Sequence, residues 1–318
     1  MPFSRLLAIS RPRFWHYVLW PMLIFFASSG FLTQIQESIF RGWTDRIFST
    51  IFIIIVLWYF TFPANLWIYG RNDIADGDTD KFNDKKGKYE VKIEDTEVMK
   101  RKLKKSIWMW NIGYIIISQT IVILFIGFTM WDWTGISEFR LLSLWLVFYR
   151  LLPFFLTSYL YSCKPLRAKA KPFLDGMMNI LYVATPFSII IWFIIANGPI
   201  SSYTRAGILP LLFAAWCWVI AMHCYSAIPD IEPDKKAWLV TTAVYLGKQK
   251  SLLYCWGLYL LSAVFSFPVL GWFSILWWWV YLTMIILSYT RKDIFWLYKL
   301  FPYINLLVWF LLFRYIIL

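Results

Sequence analysis

Ile51-Phe52-Ile53-Ile54-Ile55-Val56-Leu57-Trp58-Tyr59-Phe60 runs without a charge, and soon afterwards the chain reads Asn72-Asp73-Ile74-Ala75-Asp76-Gly77-Asp78-Thr79-Asp80. A bilayer-crossing helix needs about 20 mainly apolar residues, which the segment 47–69 supplies. A carboxylate at the bilayer centre costs about 2.5 to 3.5 kcal/mol even on lenient insertion scales. Acids massed at the end of such a segment therefore mark a functional site and call for a compensating cation. A second cluster, Asp230-Ile231-Glu232-Pro233-Asp234, closes another apolar segment, 206–228.

Working outward, further segments of this kind are centred on 14–33, 107–130, 140–161, 176–196, 251–270, 272–289 and 295–317. The composition agrees: 60% of the 318 residues are hydrophobic and only 15% charged, far from the soluble average. The expected fold is an all-α membrane protein, nine transmembrane helices in a single bundle with cytoplasmic cap segments, forming one domain over 1–318. The first apolar run is interrupted by Pro21 and lacks a small-residue cleavage site, so it reads as a first span and not as a cleaved signal. Cys163, Cys217, Cys224 and Cys255 have neither C-x-x-C spacing nor a disulfide pattern.

A net charge of +13 raises the question of nucleic acid, and the position of the charges answers it. Most Lys and Arg fall in alternate connections: Arg5, Arg11 and Arg13, then the 70–106 stretch, then Lys164 to Lys171, then Lys235, Lys236, Lys248 and Lys250, then Arg291 and Lys292. The positive-inside rule places that side, and with it the N-terminus, in the cytoplasm, with the C-terminus outside. The basic excess is a topology signal; the bilayer is the partner and nucleic acid is not. Residues 70–106 form the only long polar connection, and they begin with the first acid cluster, which predicts a partly helical cap over the site.

On a helix, Asp73, Asp76 and Asp80 share one face at i, i+3 and i+7, with Asn72 on nearly the same stripe. In the second cluster Asp230 and Asp234 are spaced i, i+4, Glu232 points elsewhere, and Pro229 breaks the preceding helix. Carboxylate oxygens with positions left for water and phosphate suit Mg²⁺. Asn72, Asp73, Asp76, Asp80, Asp230 and Asp234 are thus the expected metal ligands, and Asp73, Asp76 and Asp230 the catalytic core. Two such clusters facing one another would hold two cations across a diphosphate and neutralise it as it leaves. Tyr161, Lys164 and Arg167 lie on the same expected side as phosphate-gripping candidates, with Arg71 and Arg13 behind them. His16 and His223 lie in apolar spans without an acid partner at local spacing, which suits packing better than chemistry. A minority of the aromatics, lining an internal pocket, could stabilise a carbocation.

Asn72-Asp73-Ile74-Ala75-Asp76 with Asp80, Tyr161-Ser162 followed by Pro165-Leu166-Arg167, and Asp230-Ile231-Glu232-Pro233-Asp234 followed by Thr241-Thr242-Ala243-Val244-Tyr245-Leu246-Gly247 together resemble the UbiA superfamily of intramembrane prenyltransferases. The resemblance covers nearly the whole chain. It implies a nine-helix bundle with a side opening to lipid, in which the two acid motifs bind Mg²⁺ and an isoprenyl diphosphate, with Tyr161, Lys164 and Arg167 as diphosphate contacts. Met222 to Asp234, Arg167 to Asn179 and Ser10 to Trp15 are most similar to the lycopene elongase branch, which adds a C5 unit to a polyene. Cys163-Lys164 and Lys235-Lys236-Ala237-Trp238 depart from that branch, away from the diphosphate motifs.

The expected function is Mg²⁺-dependent prenyl transfer to a lipophilic acceptor such as lycopene; the alternative within the family is an aromatic acceptor of quinone biosynthesis. A cation-coupled transporter would place its acids near mid-span, whereas here they lie at span ends. The CDP-alcohol phosphotransferase motif is missing, since Asp76-Gly77 is not followed by Ala-Arg at the required spacing.

Overall fold

The computed structural model describes residues 1–28, 43–77, 80–83, 85–87, 89–94, 96–129, 151–163, 165–197, 202–291 and 293–317. These are overwhelmingly helical. Two elements precede the first acid cluster's hairpin, α1 (Phe3–Ile9) and α2 (His16–Ser28). The hairpin itself is built from α3 (Trp43–Tyr59), α4 (Phe62–Ala75) and α5 (Glu97–Thr129). A helix over 151–162, α6, and α7 (Leu174–Asn197) come next. The second cluster follows α8 (Ser202–Ala227) and includes the short α9 (Ile231–Lys236). The chain then runs through α10 (Thr242–Leu270), α11 (Phe273–Thr290) and α12 (Phe295–Ile317). Among the described residues five helices are long and apolar enough to cross a membrane: Ile53–Ala75, Leu209–Lys236, Thr242–Leu270, Phe273–Thr290 and Phe295–Ile316. Parts of the expected spans 14–33, 107–130 and 140–161 lie outside the described residues.

Part of the bundle's buried polar chemistry is satisfied by a chain of hydrogen bonds between helices, as favoured where no water competes. Trp218 Nε1 donates to Tyr281 OH at 2.8 Å, Tyr281 OH donates to Asn305 Oδ1 at 2.6 Å, and Asn305 Nδ2 donates to Tyr17 OH at 3.4 Å. That chain ties α8, α11, α12 and α2 together. Small residues let α10 lie close against α8, where Ser262 Oγ donates to Ala214 O at 2.8 Å. Outward-facing Ile117, Leu124, Leu253 and Leu276 are each more than half exposed, an apolar surface suited to lipid.

The segment that carries the first cluster is broken once. α3 stops at Tyr59 and α4 starts at Phe62-Pro63, because a proline at the second helical position has no N–H to extend the earlier helix. Asn65 Nδ2 takes up the freed carbonyls of Phe60 and Thr61 at 2.9 and 2.6 Å. Asn111 of α5 pins the same break, donating to Pro63 O at 3.1 Å and accepting from Tyr59 OH at 3.1 Å. Farther along α4, a Cβ added at Gly70 would stand 2.8 Å from Ile107 Cδ1, so the missing side chain sets how closely α4 seats on α5.

Candidate active site

α4 ends earlier than the one-face reading of the acids requires. Its last turn holds Asn72 and Asp73, Asp76 caps it with φ −101°, and Asp80 begins a separate 3-10 turn, Asp80–Phe82. Gly77 and the polar residues after it favour a turn over a continued helix. The Asp80 amide nevertheless bonds back to Asp76 O at 2.8 Å, which keeps the two carboxylates together. The second cluster is broken in the same manner: Ile228–Asp230 is a 3-10 turn with Pro229 inside it, and Asp234 follows on α9.

Both clusters open into one cavity of about 280 Å³. Asn72, Asp76 and Asp80 line one wall, Asp230 and Asp234 the other, and Tyr161 stands between them and the apolar remainder, which includes Phe14, Val18, Tyr182, Val219 and Met222. Asp73 sits behind the wall, 3% exposed. Its Oδ1 is held by Arg11 Nη2 at 2.9 Å and by Lys86 Nζ at 2.6 Å. Lys86 also reaches Asp80 Oδ2 at 3.0 Å and Glu90 Oε2 at 3.7 Å, while Arg11 meets Glu90 Oε2 at 2.9 Å. Asp76 Oδ1 contacts Lys169 Nζ, with Arg167 Nη2 at 3.9 Å. On the facing wall Lys85 Nζ lies 2.6 Å from Asp230 Oδ2 and 3.9 Å over the Tyr298 ring, and Thr241 Oγ1 donates to Asp234 Oδ2 at 3.4 Å. Glu232 faces outward and pairs with Lys235 at 2.8 Å.

Burial pushes the Asp80 carboxyl up to about 6, with Lys86 pulling the other way. Glu90 is also buried, yet Arg11, Lys86, Lys85 and Arg13 together hold its carboxyl below the usual range. Arg11 and Arg167 have left-handed backbones, φ 52° and 41°, a conformation that costs non-glycine residues free energy and concentrates at functional sites. Each points its guanidinium at a first-cluster acid.

Of the substrate-binding candidates, Tyr161 lines the cavity, its hydroxyl 3.5 Å from His223 Nε2. Arg167 approaches Asp76 from outside the lining. Arg71 is buried beside Cys163 Sγ, 3.7 Å away, and over the Tyr159 ring. Arg13 donates to Tyr89 O at 2.8 Å and covers the Tyr89 ring at 3.5 Å. Neither Arg71 nor Arg13 is among the lining residues. Lys164 lies outside the described residues. Sequence reasoning did not single out Arg11, Lys85, Lys86, Glu90 or Lys169 as site residues, nor the pair Asp175 and His223, whose partners are 48 positions apart. The available signal was the doubled lysine soon after Asp80 and the alternating Lys169 and Lys171.

The donor set suits Mg²⁺, since it is all oxygen and spread over two walls. Among the described residues no three His, Cys, Asp or Glu side chains form a ready metal cage, and Mg²⁺ is usually held by one or two carboxylates plus water and substrate phosphate. Asp230 Oδ1 is buried without a hydrogen-bond partner, an acceptor a cation would satisfy.

The chain is 32% identical over 268 residues to a lycopene elongase/hydratase of Haloarcula japonica, covering 82% of this chain and 74% of that protein. It is likewise 32% identical to a lycopene elongase/hydratase of Halobacterium salinarum, covering 82% and 78%. No protein-family model matches. A solved UbiA homolog from Archaeoglobus fulgidus, bound to DMAPP and Mg²⁺, superposes with a TM-score of 0.57 at 18% identity, covering 98% of this chain and 99% of that one. The same homolog bound to GPP and Mg²⁺ gives 0.55 at 17%. The chain belongs to the UbiA superfamily of intramembrane prenyltransferases, in the branch of the lycopene elongases. It is therefore a prenyltransferase and an integral membrane protein.

Proposed function

We propose that the protein transfers a prenyl group from an allylic diphosphate, dimethylallyl diphosphate first among them, to the end of a polyene such as lycopene, with Mg²⁺ as cofactor. The observation that carries this reading is the meeting of both acid clusters in one cavity that also holds basic residues, among them Lys85, Lys86 and Lys169, and an apolar and aromatic part with Phe14, Val18, Tyr182, Val219 and Met222. Asn72, Asp76, Asp80, Asp230 and Asp234 would hold the cation, with Asp73 behind them, and Mg²⁺ when bound neutralises the departing diphosphate. Tyr161, Lys164 and Arg167 would contact phosphate oxygens, and Lys169 brings a further positive charge beside Asp76. The apolar part keeps water from the allylic cation until a double bond of the acceptor attacks it.

The polyene acceptor is favoured over an aromatic one by the names of the curated relatives. In this reading the chain is one domain, 1–318, with nine membrane-spanning helices and its N-terminus in the cytoplasm. The active site faces the cytoplasm, with 70–106 as its cap. The test uses membranes containing the protein, labelled allylic diphosphates of several lengths, and lycopene or hydroxybenzoate, with and without Mg²⁺. Extended polyene only with lycopene and Mg²⁺ is expected; prenylated hydroxybenzoate in its place moves the protein to the aromatic class, and no transfer to either rejects the reading.

A further inference from the structure

We propose that His223 is the base that completes the reaction, taking the proton from the acceptor cation, or from a water that adds to it, and that Asp175 positions the imidazole. This rests on the prenyl-transfer reading and supplies a step that reading leaves open. When a double bond of the polyene attacks the allylic carbon, the C–O bond to diphosphate breaks, a C–C bond forms, and the positive charge moves to a tertiary carbon of the acceptor. The electron count closes in two ways. A neighbouring C–H can give its proton to a base and its electron pair to a new double bond, or a water oxygen can bond to the cation and give up a proton.

The carboxylates of the cavity are poorly placed for this task. Asp76, Asp80, Asp230 and Glu90 are each paired to a cation of the chain, Asp234 accepts from the Thr241 hydroxyl, and the four aspartates are those assigned to the metal and diphosphate. His223 lies on the face of α8 that also presents Val219 and Met222 to the cavity. It precedes Asp230 by seven residues, the last three of which form the 3-10 turn Ile228–Asp230.

Asp175, fully buried, is locked at the start of α7. Its Oδ2 accepts from Thr242 N at 2.8 Å, its Oδ1 accepts from Gly176 N at 2.8 Å, and Thr242 Oγ1 also contacts it. The same Oδ2 lies 3.8 Å from His223 Nε2, near enough to stabilise the imidazolium that forms when a proton arrives. Tyr161 OH, 3.5 Å from Nε2, and Asn179, which also lines the cavity, complete the polar surroundings of the imidazole, beside the apolar Val219 and Met222.

The test measures elongated polyene and released diphosphate together, with the full chain in membranes, labelled dimethylallyl diphosphate, lycopene and Mg²⁺. A general base contributes about 100-fold to 10,000-fold. The ratio of polyene product to diphosphate should fall at least tenfold in His223→Gln and His223→Ala, less in Asp175→Asn, with prenyl alcohol taking up the difference. Free imidazole should restore the ratio in His223→Ala, whereas pyrrole, a ring of the same size without a basic nitrogen, should not. An unchanged ratio hands the proton to the leaving diphosphate and overturns the proposal. So does a parallel loss of both products, or equal rescue by pyrrole. If the unaltered chain releases no diphosphate, the prenyl-transfer reading fails and takes this one with it; failure confined to the variants sinks this one alone.

Discussion

The two acid clusters face the same cavity but are treated differently by the rest of the chain. The first is crowded with the protein's own cations: Arg11 and Lys86 on Asp73, Lys86 again on Asp80, and Lys169 on Asp76. The second has Lys85 on Asp230 and a single hydroxyl contact on Asp234, and one oxygen of Asp230 is left buried without a hydrogen bond. The difference is one of electrostatic satisfaction. The first wall is close to self-sufficient, whereas the second retains an appetite for a cation, since burying an unsatisfied polar atom costs about 1 to 3 kcal/mol and more where the group is charged.

The largest expected effect tests whether both walls serve the same chemistry. Asp76→Ala and Asp230→Ala should each lower product formation by more than about 100-fold, the scale of lost transition-state charge stabilisation, while membrane levels stay near those of the parent. Turnover retained by either variant, in a labelled-diphosphate assay, breaks the symmetry of roles. Next comes Lys86→Met, which strips the first wall of the ammonium bridging three carboxylates. Removing one partner of a buried pair costs about 3 to 5 kcal/mol; because Asp73 keeps Arg11, about 2 kcal/mol is expected, read as a lower melting temperature in detergent. Lys85→Met, on the second wall, leaves Asp230 without its ion-pair partner and should cost at least as much.

Smaller effects separate two acids of the first wall by sign. The Glu90 carboxyl is held below its ordinary value in the fold, so its contribution to stability is present above about pH 4.5 and is lost as pH falls through the lowered folded value. Glu90→Gln should flatten that acid limb of a melting-temperature profile. Asp80 has the opposite sign: its folded value, about 6, is raised from 3.8, so its charge opposes folding increasingly as pH rises across that window. Asp80→Asn should therefore lose activity yet melt at the same temperature or a few degrees higher at pH 7, about what 1 kcal/mol delivers in a chain of this size. The smallest effect belongs to the second wall. Thr241 caps α10, its hydroxyl accepting from Val244 N at 3.3 Å, and Thr241→Ala should cost about 1 kcal/mol.

The apolar segments and the acid motifs could be read along the chain because hydrophobic runs and short spacings are local. Helix ends inside those motifs were less legible. The i, i+3, i+7 spacing of Asp73, Asp76 and Asp80 suggested one continuous face, and Gly77 with its polar neighbours ended the helix at Ala75 instead. Partners distant in sequence were not legible at all. No local pattern announces that Arg11 will meet Asp73, that Lys85 will meet Asp230, or that His223 will find Asp175. Arg13 and Arg71 were plausible as cations on the right side, yet they stack on Tyr89 and Tyr159 respectively.

The paired lysines between α4 and α5 carry one more consequence. Lys85 grips the second wall and Lys86 the first, so two neighbouring ammonium groups of one connection offset the charge of both acid clusters. Assembly in the bilayer then does not have to wait for metal, and a chelator should silence the enzyme without loosening it. If the acids hold Mg²⁺ as proposed, binding would be an exchange of partners in which they trade Lys85 and Lys86 for the metal.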